Sequence, residues 1–289
     1  LVFKKWFGRN DVAVVLAYVF AFSIFNLGQL GYTQMSIRFM VPVVFYAAHK
    51  MVVSPALSYL SMYCCALVVQ FYSVAYTGFY LLYFSILFML ILCFLNKSWS
   101  DLRYYFKKEK LIYTVLIFFV SGITLLWYLL PYQNMSDTVG LRLYREVLVN
   151  LPLWHSYLFP HNSSLTWRFL FDLTKPEVKE WWLHMLFTGI IPFTVIILSP
   201  LYLVYARYKK IQISVLLKSL IITSIVITLL HLRTENGWSF YALIFKLPGI
   251  NSMRVLTRFM NVELFILLLL FGYFLTKIQT KYLPLFFLL

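Results

Sequence analysis

Leu111-Ile-Tyr-Thr-Val-Leu-Ile-Phe-Phe-Val-Ser-Gly-Ile-Thr-Leu-Leu-Trp-Tyr-Leu-Leu-Pro131 runs for 21 residues without a charge. Wound as an α-helix at about 1.5 Å per residue, it reaches about 30 Å, the thickness of a bilayer's hydrocarbon core. Comparable apolar runs recur at about 12–30, 36–53, 56–74, 76–95, 183–205, 214–232 and 259–276, giving eight candidate spans in all. The 289-residue chain is 62% hydrophobic and only 12% charged, with a mean hydropathy of +0.80. A soluble domain carries roughly 25% charged residues, so a soluble reading is excluded. The expected fold is all-α: a polytopic transmembrane bundle with amphipathic interfacial helices in its outer loops.

Charge sets the expected orientation. The net charge of +15 comes from 25 Lys and Arg against 10 Asp and Glu. Such a surplus suits a nucleic-acid partner in a soluble protein, but here it reads as the basic bias of cytoplasmic loops. With the N-terminus inside, Lys4, Lys5, Arg9, Lys50, Lys97, Arg103, Lys107, Lys108, Lys110, Arg207, Lys209, Lys210, Lys218, Lys277 and Lys281 all fall on the inner side. Two regions then face outwards, a long one at 132–182 and a short one at 233–258. The whole of 1–289 reads as part of one transmembrane domain. Its opening at Leu1 and its closing apolar run suggest an internal piece of a longer protein. Cys64, Cys65 and Cys93 lie inside apolar runs and read as small buried hydrophobes.

The long outer region contains Gly140-Leu-Arg-Leu-Tyr-Arg-Glu-Val-Leu-Val-Asn150. As a helix it places Leu141, Tyr144, Leu148 and Leu151 on one side, with Arg142, Arg145 and Glu146 towards the other. Arg142 and Glu146 are then four apart and able to pair. Arg142 and Arg145 alternatively overhang a cavity and hold an anionic headgroup, since the guanidinium fork matches phosphate oxygens. His155 and His161 titrate near neutrality, but their six-residue spacing makes a poor metal site. Thr174-Lys-Pro-Glu177 reads as a helix start leading through Trp181 and Trp182 into the sixth span.

The short outer region ends Leu247-Pro-Gly-Ile-Asn-Ser-Met-Arg-Val-Leu-Thr-Arg-Phe-Met-Asn-Val-Glu263. A helix restarting near Asn251 or Ser252 puts Arg254, Arg258 and Asn261 on one face. At its positive N-terminal end they would hold a pyrophosphate or lipid phosphate. Glu263, a turn deeper in hydrocarbon, needs a partner, and a bridge to Arg258 is the plainest one. Asn26-Leu-Gly-Gln-Leu-Gly-Tyr-Thr-Gln34 reads as a glycine-broken polar end of the first span, lining the same outward cavity. The chain carries no Walker loop, dinucleotide fingerprint, HExxH or nucleophile elbow.

Several stretches resemble large bacterial multi-pass proteins of the GT-C glycosyltransferase superfamily. They are Phe20-Ala-Phe-Ser23, Gly31-Tyr-Thr-Gln34 with Pro42, Gln70-Phe-Tyr-Ser-Val-Ala-Tyr-Thr-Gly78, Gly140-Leu-Arg142 with Glu146, and Leu247-Pro-Gly through Arg258-Phe259. YfhO-like membrane proteins, linked to cell-wall polymer glycosylation, share the pattern more loosely. The resemblance implies inverting transfer of a sugar from a polyprenyl-phosphate donor to an envelope acceptor, on the outer face of a bacterial cytoplasmic membrane. It implies Arg254 and Arg258 as lipid-phosphate ligands, with Arg142 behind them. Arg145, Glu146, Gln34, His155 and Glu263 are the further residues expected around the substrate cavity. No cofactor is called for, although a divalent cation could accompany the phosphate. Membrane lipid is the other expected partner, and nucleic acid is not one. Matching the family puts Leu1 after the loop that supplies the catalytic carboxylate, so the base is not expected within this chain. A carrier of polyprenyl-linked intermediates would use the same basic cavity.

Overall fold

The computed structural model describes residues 1–26, 28, 34, 36–140, 142–178 and 180–278, with backbone alone over 135–139. Among these residues the chain is all-helical, and one isolated antiparallel bridge joins Arg233 to Ser239. The α-helices are α1 (Val2–Phe7), α2 (Asn10–Phe22), α3 (Val41–Val53), α4 (Leu57–Ser73), α5 (Ala75–Asn96) and α6 (Lys108–Val139). They continue with α7 (Tyr144–Leu148), α8 (Arg168–Thr174), α9 (Ile190–Tyr208), α10 (Val215–His231) and α11 (Met260–Leu275). Four helical stretches are long and apolar enough to cross a membrane: Ala75–Asn96, Lys108–Asn134, Ile190–Tyr208 and Leu256–Leu275. Helices α2, α3, α4 and α10 are also apolar but shorter, at 13 to 17 residues.

Local chemistry explains most boundaries. Pro42 sits in the first turn of α3, where its missing N–H costs no hydrogen bond. One extended residue, Val74, separates α4 from α5, which makes the two a tight hairpin. The Ser214 side chain caps α10 by accepting from the Leu217 N–H at 3.3 Å. Cys64 and Cys93 are buried as expected, whereas Cys65 faces outwards, and all three are free thiols.

Two expected helix starts are corrected. Thr174 closes α8 instead of opening the sixth span, and its hydroxyl donates back to the Leu170 carbonyl at 2.6 Å. Pro176 biases Lys175 away from helical ψ, 175–178 is irregular, and Trp181–His184 forms only a 3-10 turn. Helix α9 starts at Ile190, after Gly189 at φ +110°. Nor does a helix restart at Asn251. Short 3-10 turns occupy Ile250–Ser252 and Leu256–Phe259, Arg254 lies between them, and α11 begins only at Met260. Arg254, Arg258 and Asn261 therefore do not share one helical face.

Helix α11 is the core. It packs against α1, α2, α3, α5, α9 and α10, and every residue from Leu256 to Gly272 is buried. Gly272 is required by close approach, since a Cβ there would strike the rings and methyls of Phe7 and Leu16. Polar groups in this core find partners across helices. Buried Arg38 donates to Asn261 Oδ1 at 3.0 Å and to the Phe20 carbonyl, and its guanidinium lies 4.7 Å from the Phe20 ring centre. Glu263, fully buried, accepts from the Thr228 hydroxyl at 2.7 Å; the expected bridge to Arg258 is not formed.

The bundle has two chemically distinct ends. At one, Arg9 donates to the carbonyls of Leu275, Thr276 and Ile278, and Tyr105 reaches the carbonyl of Ala56 between α3 and α4. Lys5 and Lys50 both lie over the Tyr46 ring. The other end is built from the α4–α5 hairpin, the C-terminal part of α6, and the described residues of 140–189 and 232–259. It holds the cavities.

Candidate anion-binding site

Tyr76, at the start of α5, organises the cavity end. Its hydroxyl accepts the Arg254 backbone N–H at 3.2 Å, and its ring lies 4.7 Å beneath the Arg258 guanidinium. Two further α5 tyrosines pin the same segment: Tyr80 donates to the Leu256 carbonyl at 3.2 Å and Tyr83 to the Pro248 carbonyl at 2.8 Å. Gly249 takes φ +77°, and a Cβ there would overlap the Phe79 ring, so both backbone and space demand glycine.

Beside this segment lies a cavity of about 410 Å³ whose polar lining is Arg142, Glu146, Asn150, Glu180, His184 and Arg254. Arg254 and Glu180, 74 positions apart, form an ion pair across it. Arg142 makes no ion pair among the described residues. Since α7 starts at Tyr144, Arg142 precedes the helix and does not stack one turn from Glu146 as expected. His184 is fully buried, with Nδ1 3.3 Å from the Ser156 hydroxyl and Nε2 without a hydrogen-bond partner. Burial, then the nearby Arg233 and His155, push its pKa down to about 4, so it is neutral at physiological pH.

Arg142 is also part of the wall of a second, larger cavity of about 780 Å³. That cavity is mainly aromatic and aliphatic, with Tyr76, Phe79, Tyr128 and Tyr132 around it and Gln34, Gln133 and Asn251 supplying amides. Tyr128 and Tyr132 belong to an α6 ladder that continues to Tyr72 of α4, with ring centres 4.6 and 5.4 Å apart. The arrangement is bipartite. A small compartment carrying two arginines adjoins a large compartment of low polarity, and Arg142 stands at the boundary.

The other expected residues distribute as follows. Gln34 is exposed and lines the larger cavity; residues 27, 29–33 and 35 around it lie outside the described residues. Arg145 is exposed on α7 and lines neither cavity. Arg258 is buried upon Tyr76, close behind the cavities but not in their walls. His155 packs against Trp154, with its pKa lowered by burial against the opposing effect of Glu235, and lines neither cavity. Glu263 sits deeper, within the core. Among the described residues no three His, Cys, Asp or Glu side chains gather as metal ligands.

Set against models of known families, characterised proteins and solved structures, the chain matches none. The site therefore rests on its own geometry. Sequence reasoning missed Glu180, His184 and Tyr76. Glu180 and His184 flank the Trp181-Trp182 pair, whose aromatic character suggested only an interfacial anchor. Tyr76 sat inside an apolar run with nothing local to mark its two contacts.

Proposed function

We propose that the chain is the eight-span segment of a membrane glycosyltransferase acting on a polyprenyl-phosphate-linked sugar at its cavity end. In this reading α2, α3, α4 and α10 cross alongside the four longer stretches, with the basic end cytoplasmic and the cavities facing outwards. The observation that carries it is the joining of an arginine-lined pocket to a larger aromatic one through Arg142. That pairing suits an amphiphile with a phosphate at one end and an isoprenoid chain at the other.

Arg142 and Arg254 would take the phosphate, and the aromatic compartment would take the first isoprene units. In transfer, the acceptor hydroxyl gives its proton to a carboxylate base and its oxygen forms a bond to the anomeric carbon while the bond from that carbon to the phosphate oxygen breaks. The electron pair goes to the departing phosphate, where guanidinium groups stabilise it. Arg258, held on Tyr76, adds positive potential from behind.

Membranes carrying the full-length protein test this with a radiolabelled polyprenyl-phosphate sugar. Arg142→Gln and Arg254→Gln together are expected to reduce transfer at least tenfold while the protein still folds and inserts, since each oxyanion ligand is worth a few kcal/mol in such sites. Unchanged turnover removes the arginines from the site. Movement of the intact labelled lipid across the membrane, without sugar release, identifies a carrier instead.

A further inference from the structure

Of the described residues in the wall of the small cavity, His184 alone carries a buried side-chain polar atom with no hydrogen-bond partner, its Nε2. Buried donors and acceptors are nearly always served, so one left open in a cavity wall asks for a ligand. Which kind of ligand depends on whether Nε2 carries the proton. Ser156 decides that. Its side chain is fully buried outside the cavity wall, and its Oγ already accepts the Leu153 N–H at 3.0 Å. The hydroxyl's own proton then needs an acceptor. His184 Nδ1, 3.3 Å away, is the one it meets among the described residues.

The two neutral tautomers differ in what they leave unserved. With the proton on Nδ1, both the Ser156 O–H and the Nε2 lone pair lack partners. With the proton on Nε2, only the Nε2–H does. Each unserved buried group carries a desolvation penalty, so the second tautomer is the stable one. Burial, Arg233 and His155 keep the ring uncharged, against the opposing Val149 carbonyl. The other ionisable groups in the wall are Arg142, Glu146, Glu180 and Arg254.

We propose that His184 is a third ligand for the anion in the small cavity: an uncharged Nε2–H that donates to a phosphate oxygen, in a tautomer set by Ser156. This rests on the reading of Arg142 and Arg254 as phosphate ligands and deepens it. Guanidinium groups supply charge, which acts at a distance. One N–H on a ring tied to Ser156 supplies direction instead, so it orients the phosphate without adding to the positive potential. The opposite tautomer would present a lone pair, which suits a cation, and no three metal-ligating side chains gather there among the described residues.

The test uses the full chain in detergent micelles at neutral pH, isotope-labelled at the ring nitrogens of its five histidines. Signals absent from His184→Gln assign the ring. Nitrogen NMR is expected to show Nε2 protonated and Nδ1 bare, and the Nε2–H signal should move as farnesyl phosphate is added. Inorganic phosphate, titrated separately, moves the same signal at similar concentrations if phosphate alone is recognised, and only at much higher ones if the lipid is. His184→Phe keeps a flat ring without a donor and should bind farnesyl phosphate roughly tenfold more weakly, the size of one hydrogen bond to a charged group. His184→Gln, whose amide N–H reaches about as far as Nε2, should recover most of that loss. Both variants lose the bond to Ser156, so the difference between them reports the Nε2 donor alone. A proton on Nδ1, an Nε2–H signal unmoved by bound farnesyl phosphate, or equal affinities of the two variants overturns the proposal. If Arg142→Gln and Arg254→Gln together weaken binding while the two His184 variants bind alike, the phosphate reading survives without His184. If the arginine changes leave the affinity at the parent value, both fail.

Discussion

Helices α6 and α11 look interchangeable in composition, and the fold treats them as opposites. Both are apolar on every side rather than along one stripe. In the most apolar part of Leu256–Leu275, which contains α11, 89% of residues are buried against protein, and in that of Lys108–Asn134 on α6 only 6% are. Leu116, Phe118, Phe119, Val120, Ile123 and Leu126 of α6 all stand exposed. A helix apolar all round needs an apolar surrounding, whether protein or lipid. For α11 that surrounding is six other helices. For α6 the protein supplies little beyond α4, and an exposed apolar surface of this extent calls for hydrocarbon. Burial within the chain is thus a poor measure of what keeps a membrane helix from water.

The comparison can be broken most forcefully at Leu268, fully buried in α11. Leu268→Ala should destabilise the protein in micelles by about 2–5 kcal/mol, the cost of a cavity in close-packed protein. The same truncation at exposed Leu116 should cost clearly less, because lipid or detergent flows into the space. Equal losses by thermal unfolding would erase the distinction between the two helices.

A second substitution asks what surrounds α6. Phe119→Lys places a charge midway along the exposed face, and should lower the inserted fraction by about 2.5–3.5 kcal/mol if that face meets hydrocarbon. A helix facing water would tolerate it. Insertion measured by accessibility of flanking cysteines distinguishes the two, and full tolerance would place α6 outside the bilayer.

The smallest expected effect sharpens the picture of α11. Thr228→Val preserves shape but removes the hydroxyl that donates to Glu263 at 2.7 Å. Leaving a buried acceptor unserved should cost about 1–3 kcal/mol. A Glu263→Leu partner change should recover part of that loss. No recovery in the double variant would mean that Glu263 is served by other groups.

Much of the architecture was legible in the amino-acid order. The apolar helices and the α4–α5 hairpin follow from run length. Arg254 and Arg258 stood out as arginines that charge bias alone does not favour, and Arg142 for a guanidinium fork suited to phosphate oxygens. The choice of core helix was not, since hydropathy scores α6 and α11 alike and their neighbours come from distant parts of the chain. Local geometry misled at Arg258 and Glu263, whose helical spacing predicted a bridge. Leu256–Phe259 forms a 3-10 turn, and the two side chains meet different groups, Arg258 the Tyr76 ring and Glu263 the Thr228 hydroxyl. The Arg254–Glu180 pair spans 74 positions, and no periodicity announces such a contact.

Because α11 is the helix around which α1, α2, α3, α5, α9 and α10 assemble, the order of synthesis matters. The central strut leaves the ribosome after all the elements it holds together. The surface that these six helices bury against Leu264 to Phe271 is therefore completed only by the last described helix in chain order.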